Sequence, residues 1–275
     1  ATAVTQVVAP QNTHTAGTLL RPVPDETERS ENFGYVPVKI VKLLKGEKLV
    51  ECENLIDSEK KFSCQLKLLE YAHDLDAQEL DRDFPNMIRM NCLNQASILA
   101  NLRKRFKDGH MYTAVDDVLV FVNPFRKLKI YSEMKRQEYL QSSSLCDKSP
   151  HIYKTVEQAC REMFRHGKSQ CFLISGESGA GKTEIVKLIL EYVVERDRST
   201  ETREVDQLII DEQLLQSTPL LEAFGNAKTC RNLNSSRFGK WLQVSFKHGL
   251  KNLEVLGGKI NSYLLEIPRV CHQAQ

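Results

Sequence analysis

An α/β fold with a mixed, mostly parallel sheet flanked by helices is what this sequence predicts, and three observations carry it. Gly176-Glu177-Ser178-Gly179-Ala180-Gly181-Lys182-Thr183 stands between the apolar run 171–174 and a helix-patterned segment, the context of a phosphate-binding loop joining a strand to a helix. Val118–Val122 is a continuous apolar run of strand length cut off by Asn123-Pro124, as expected of a strand buried on both faces. Ile185, Leu188, Ile189, Tyr192 and Val193 share one face of the helix that starts near Lys182, so that helix should pack on the sheet.

Residues 1–30 are polar, with Pro22 and Pro24 breaking what periodicity remains, and predict a disordered lead-in. Short β-leaning pieces at 36–44, 49–53 and 62–66 alternate with charged turns, so 31–80 reads as a small β-leaning subdomain preceding a larger unit at 81–275. Ile98, Leu99, Leu102 and Phe106 fall at helical spacing over 94–106, which puts Arg103, Lys104, Arg105 and Lys107 largely on a solvated face. A helix over 152–164 precedes the strand at 171–174. The segment 196–207 is charged and nearly free of apolar residues, so it predicts an exposed loop before a helix over 207–224. Strands at 242–246 and 253–256 follow as a hairpin, and 263–267 reads as a last apolar strand.

The 275 residues are 41% hydrophobic and 27% charged with a net charge of +2, which predicts a soluble globular protein and gives no bulk electrostatic reason to expect nucleic acid or an anionic membrane as partner. No apolar run approaches the length of a membrane span. The eight cysteines include no C-x-x-C pair, so they read as reduced cytosolic thiols, and the proximity of Cys146 to His151 does not make a structural metal site.

The octapeptide implies binding of a nucleoside triphosphate. Its glycines let the backbone N–H groups turn inward, the helix that follows places its positive dipole end at the phosphates, Lys182 reaches the β- and γ-phosphates, and Thr183 supplies a hydroxyl to magnesium. Phosphoryl transfer also needs a second hydroxyl on the metal, groups that place a water, and a charge that can move. The polar cluster Asn232-Leu233-Asn234-Ser235-Ser236-Arg237-Phe238-Gly239-Lys240 contains all of these just before a strand.

With these segments in view, the chain resembles the motor domain of the myosins over roughly 85–272. The loop 176–183 is identical to the usual phosphate loop of that family, and 232–240 fits its switch I pattern N-x-N-S-S-R-F-G-K. The segments 123–131, 220–229 and 262–266 are further similarities. The resemblance implies a P-loop NTPase core, ATP and magnesium as ligands, and an actin-based, cytoplasmic, cytoskeleton-associated motor. It implies that Asn123, Pro124 and Tyr131 border the adenine, that Gly176, Glu177, Ser178, Gly179, Ala180, Gly181 and Lys182 hold the phosphates, and that Ser178 and Asn232 face the γ-phosphate. Thr183 and Ser236 would take magnesium, Ser235 would position the attacking water, and Arg237 would be the moving charge that pairs with a switch II glutamate on closure.

Asp116-Asp117, Lys129 and Ile267-Pro268 depart from the family pattern and suggest an unconventional class, with the lead-in and the 35–80 region similar to myosin XVI. The alternative function is a nucleotide-binding scaffold without productive actin-activated turnover. Because no switch II segment follows before Gln275, the expectation is a fragment of a longer motor that is unstable alone and not competent for turnover.

Overall fold

A computed structural model describes residues 3–8, 38–44, 49–54, 61–65, 79, 82–198, 205–229, 232–248 and 253–271. In chain order the strands are β1 (Ala3–Val8), β2 (Val38–Leu44), β3 (Leu49–Asn54), β4 (Lys61–Gln65), β5 (Tyr112–Val115), β6 (Val118–Val122), β7 (Phe172–Ser175), β8 (Asn226–Ala227), β9 (Ser235–Ser236), β10 (Gly239–His248) and β11 (Leu253–Tyr263). The helices are α1 (Gln95–Lys107), α2 (Glu133–Leu140), α3 (Ile152–His166), α4 (Lys182–Arg198), α5 (Val205–Gly225) and α6 (Ile267–Cys271). The chain divides into two compact units, Pro10–Asp116 and a larger one made of Ala1–Ala9 with Asp117–Gln275.

In the smaller unit β2, β3 and β4 form an antiparallel sheet near the positions the sequence predicts. Asn94 starts α1 with a reciprocal cap: its side chain accepts from the Ala96 and Ser97 amides, and the Asn94 amide donates to Ser97 Oγ. The faces of α1 differ from the periodicity reading. Arg105 is 3% exposed and donates to Thr113 Oγ1 at 2.8 Å and the Tyr112 carbonyl at 2.9 Å, with Asp83 as its ion partner, whereas Phe106 is 36% exposed. A guanidinium can be buried where its donors find acceptors and a counter-charge, and here residues distant in sequence supply them.

In the larger unit, β1 lies between β6 and β7 and pairs parallel with both. Of the predicted lead-in, then, Ala3–Val8 are a strand, and 9–30 lie outside the described residues. Leu119, Val120 and Phe121 of β6 are buried, which accounts for its unbroken apolar run. The strand β7 is one residue later than the sequence predicts, and its Leu173 is 59% exposed. Helix α4 packs on α3 and α5, and α5 packs on β11. Buried Glu157 of α3 locks the α3–α4 contact by accepting from Arg161 Nε at 2.8 Å, Arg196 Nε at 3.0 Å and the Tyr192 hydroxyl at 3.2 Å. The predicted loop at 196–207 is shorter than expected, because α4 runs to Arg198 and α5 starts at Val205.

The hairpin strands β10 and β11 are longer than expected and pair from Gly239↔Tyr263 to His248↔Leu253. The predicted strand at 263–267 does not form. Tyr263 ends β11 and Ile267–Cys271 is a short helix, with Pro268 in its first turn, where a missing N–H costs no helical hydrogen bond. Helix α2 and the β8–β9 pair were not legible from periodicity. Among the described residues no helix is long and apolar enough to cross a membrane.

His151 caps α3 by accepting the Tyr153 amide on Nδ1 at 3.1 Å, and it sits among Tyr131, Tyr139 and Tyr153. Burial lowers its pKa to about 3, with Lys135 adding to the effect and the Ile130 backbone and Glu138 opposing it. The folded state therefore resists a proton that the unfolded chain takes up near pH ~6.5. Stability is full above that value and falls as the pH drops toward about 3, by a few kcal/mol in total. Thermal melts from pH 7 to pH 4 should show this loss, and His151→Asn, which keeps a capping acceptor that does not titrate, should flatten the profile. An unchanged profile would contradict the assignment.

Candidate nucleotide site

The loop between β7 and α4 is shaped by close approach to the end of β6. Gly181 has φ +96°, a conformation that favours glycine, while a Cβ there would meet Phe121 Cε1 at 3.4 Å and Asn123 Nδ2 at 3.6 Å, ordinary contacts, so the backbone angle is what calls for glycine. Asn123 pins the loop by donating from Nδ2 to the Gly179 carbonyl at 2.9 Å, while its Oδ1 accepts the Phe125 amide at 2.9 Å. Ala180 is fully buried in the loop, and Glu177 points outward. The Lys182 ammonium folds back on its own loop, donating to the carbonyls of Gly176 at 2.7 Å and Glu177 at 2.8 Å.

The polar cluster after α5 comes to the same place. The strands β8 and β9 pair antiparallel, Asn226 with Ser236 and Ala227 with Ser235, and the Arg237 amide donates to the Gly225 carbonyl at 2.9 Å. Gly225 is packed under Phe238, whose ring would lie 2.3 Å from an added Cβ. This pairing holds Ser235, 6% exposed, with its hydroxyl 2.9 Å from that of Ser178, and Thr229 Oγ1 stands 3.4 Å from Ser178 Oγ. Thr229, which the sequence reading did not assign to the site, also accepts the Asn232 amide at 3.0 Å. The Asn232 side chain is engaged in a local turn with Asn234: Nδ2 donates to the Asn234 carbonyl and Oδ1 accepts the Asn234 amide, each at 3.1 Å.

Two cations converge here. The Lys182 pKa is lowered, first by burial and then by the charge of Arg237, with Glu177 opposing. Arg237 pairs with Glu266, a second residue the sequence reading did not assign to the site, at 3.7 Å from Nε to Oε2. Two mutually repelling cations at one site favour an anion. Among the described residues there is no group of three or more His, Cys, Asp or Glu side chains that could hold a metal ion. The donor set instead offers hydroxyls: Thr183 at the start of α4, and Ser236 next to the residue that touches Ser178. Such a set suits magnesium, which takes few protein ligands when phosphates and waters complete its shell.

Among the residues predicted to border a base, Asn123 contacts the loop, and Pro124 follows it where β6 ends. The Tyr131 ring packs against His151 at 5.7 Å and Tyr153 at 6.4 Å between centroids.

Residues 84–275 match the family described as "Myosin head (motor domain)". The chain is 46% identical over 188 residues to unconventional myosin-Ib of Homo sapiens, covering 68% of this chain and 16% of that protein. It is 48% identical over 183 residues to unconventional myosin-Ic of Aquarana catesbeiana, covering 66% and 17%. Against the myosin ID heavy chain of Dictyostelium discoideum it is 43% identical over 191 residues, covering 69% and 16%. The chain thus spans 16–17% of the length of these curated relatives.

Replacing Asn123 with Ala removes the hydrogen bond that pins the loop at Gly179 and the local one from the Phe125 amide, at a cost of about 1–3 kcal/mol. A fluorescent-nucleotide titration of the full-length variant should show affinity weakened about ten-fold or more, together with a lowered melting temperature. Unchanged affinity would mean that Asn123 does not shape the loop.

Proposed function

The chain belongs to the myosin motor-domain family, and from that premise we propose that it is the ATP-binding part of an actin-based cytoskeletal motor whose complete protein couples Mg-ATP hydrolysis to a conformational change. The observation that carries this reading is the 2.9 Å contact between Ser178 and Ser235, which joins the phosphate loop to the segment bearing the groups for hydrolysis. Within that second segment, Ser235 and Arg237 are of the kinds that hydrolysis needs beyond binding.

On this reading, Lys182 exchanges the carbonyls of Gly176 and Glu177 for β- and γ-phosphate oxygens. Ser178 and the amides of 176–183 hold the γ-phosphate, and Asn232 reaches it when its turn opens. Ser235, freed from Ser178 as phosphate enters, positions the attacking water in line with the scissile bond. Bound magnesium would neutralise charge between the β- and γ-phosphates, and Thr183 and Ser236 are the residues that would hold it. Asn123, Pro124 and Tyr131 border the base, and Arg237 is the charge whose movement couples site closure to the rest of the motor. The parallel pairing of β6, β1 and β7 supports reading them as part of a mixed, mostly parallel central sheet. The domain division at about residue 80 and assignment to class XVI belong to the same proposal and rest on composition and on the lead-in. Actin is the proposed partner, and the cytoskeleton the proposed location.

Single-turnover ATP hydrolysis by the full-length protein, with and without actin filaments, tests this. Hydrolysis accelerated by actin is expected, and Ser235→Ala should slow the chemical step about ten- to hundred-fold while leaving ATP affinity within about three-fold. Tight ATP binding without turnover in the wild-type protein would contradict the motor and fit a nucleotide-binding scaffold.

A further inference from the structure

We propose that Glu266 is the resting partner of Arg237, and that Arg269, by sharing the same carboxylate, sets how readily Arg237 is released. This deepens the proposed function and rests on it for the consequence in hydrolysis, though not for the geometry.

The placement of Glu266 begins in the backbone. Beyond β11 the chain turns at Leu264, with φ 53°, and the Glu266 amide donates to the Arg237 carbonyl at 2.9 Å. A main-chain bond therefore fixes Glu266 beside Arg237 whatever its side chain does. The Glu266 carboxylate oxygen Oε2 lies 3.7 Å from Arg237 Nε and 3.1 Å from Arg269 Nε. The Arg269 amide donates to the Glu266 carbonyl at 3.0 Å, so the shorter pair is also held within one turn.

One carboxylate thus serves two guanidiniums, and the competitor is the nearer. The separation from Arg237 is too long for a hydrogen bond, and the Glu266 side chain is 48% exposed. A pair of this kind shifts an equilibrium by no more than about five-fold. Such weakness suits a latch. Arg237 is repelled by Lys182, which shares its corner of the site, and Glu266 supplies the opposing attraction. When an anion relieves the repulsion, a weak pair gives way and the segment 232–240 can move. Glu266 is accordingly a positioning residue that acts through Arg237, without touching nucleotide.

Glu266→Gln and Arg269→Gln separate this from a structural role, since the first is nearly isosteric, the second removes an exposed guanidinium, and neither alters the backbone bond to Arg237. Arg269 is 60% exposed, so its variant should fold even if the first does not. In the nucleotide-free full-length protein, hydrogen exchange over 232–240 should rise two- to five-fold in Glu266→Gln and fall by a similar factor in Arg269→Gln, with both changes absent in an Arg237→Ala background. Single-turnover hydrolysis should quicken and slow by the same factors. Exchange shifts of the same sign in both variants, or shifts that persist without Arg237, would overturn the proposal. Opposed exchange shifts in a protein that never hydrolyses ATP would overturn the motor reading and leave the pairing standing.

Discussion

The site depends on a contact between two hydroxyls. Ser178 belongs to a loop whose form is set by its own glycines and by Asn123, and Ser235 belongs to a two-residue strand held against the end of α5. Neither segment makes a phosphoryl-transfer site alone. The loop offers amides and a lysine, while the second segment offers hydroxyls and a guanidinium. The β8–β9 pair is too short to be stable by itself. It persists because Gly225 lets Phe238 close over it and because Thr229 and Asn232 are hydrogen-bonded to each other between its strands.

Charge follows from that geometry. Bringing the two segments together places Lys182 and Arg237 close enough for one to lower the pKa of the other, an arrangement unfavourable until an anion arrives. The ammonium meanwhile rests on loop carbonyls and the guanidinium on a shared, half-exposed carboxylate. Both resting interactions are weaker than those a triphosphate can offer, since charge-assisted bonds to phosphate are short and strong. A site so built gains its strongest contacts as it fills.

The parts legible in the sequence are those specified locally. The phosphate loop is defined by glycines and by the start of the helix after it, and the strand Val118–Val122 by an unbroken apolar run. What was missed depends on partners distant along the chain. Arg105 looked solvated because its acceptors, Thr113 and the Tyr112 carbonyl, come from a strand beyond the turn. Ala3–Val8 showed no strand signal, because its pairing with β6 and β7 is made across more than a hundred residues. The segment 263–267 looked like a strand of its own because of its apolar content, whereas Tyr263 belongs to the end of the long β11 and Ile267 opens a helix that admits Pro268 in its first turn. Thr229 and Glu266 carry no motif of their own, and their place in the site is visible once the fold sets them beside Ser178 and Arg237.

The most direct measurement is a crystal structure of the full-length protein with magnesium and a non-hydrolysable ATP analogue. The account predicts the Lys182 ammonium on β- and γ-phosphate oxygens, Ser178 parted from Ser235, and the hydroxyls of Thr183 and Ser236 on one magnesium ion. An analogue bound away from the 176–183 loop, or an ion that meets Thr183 while Ser236 stays paired to Asn226 out of its reach, would contradict it.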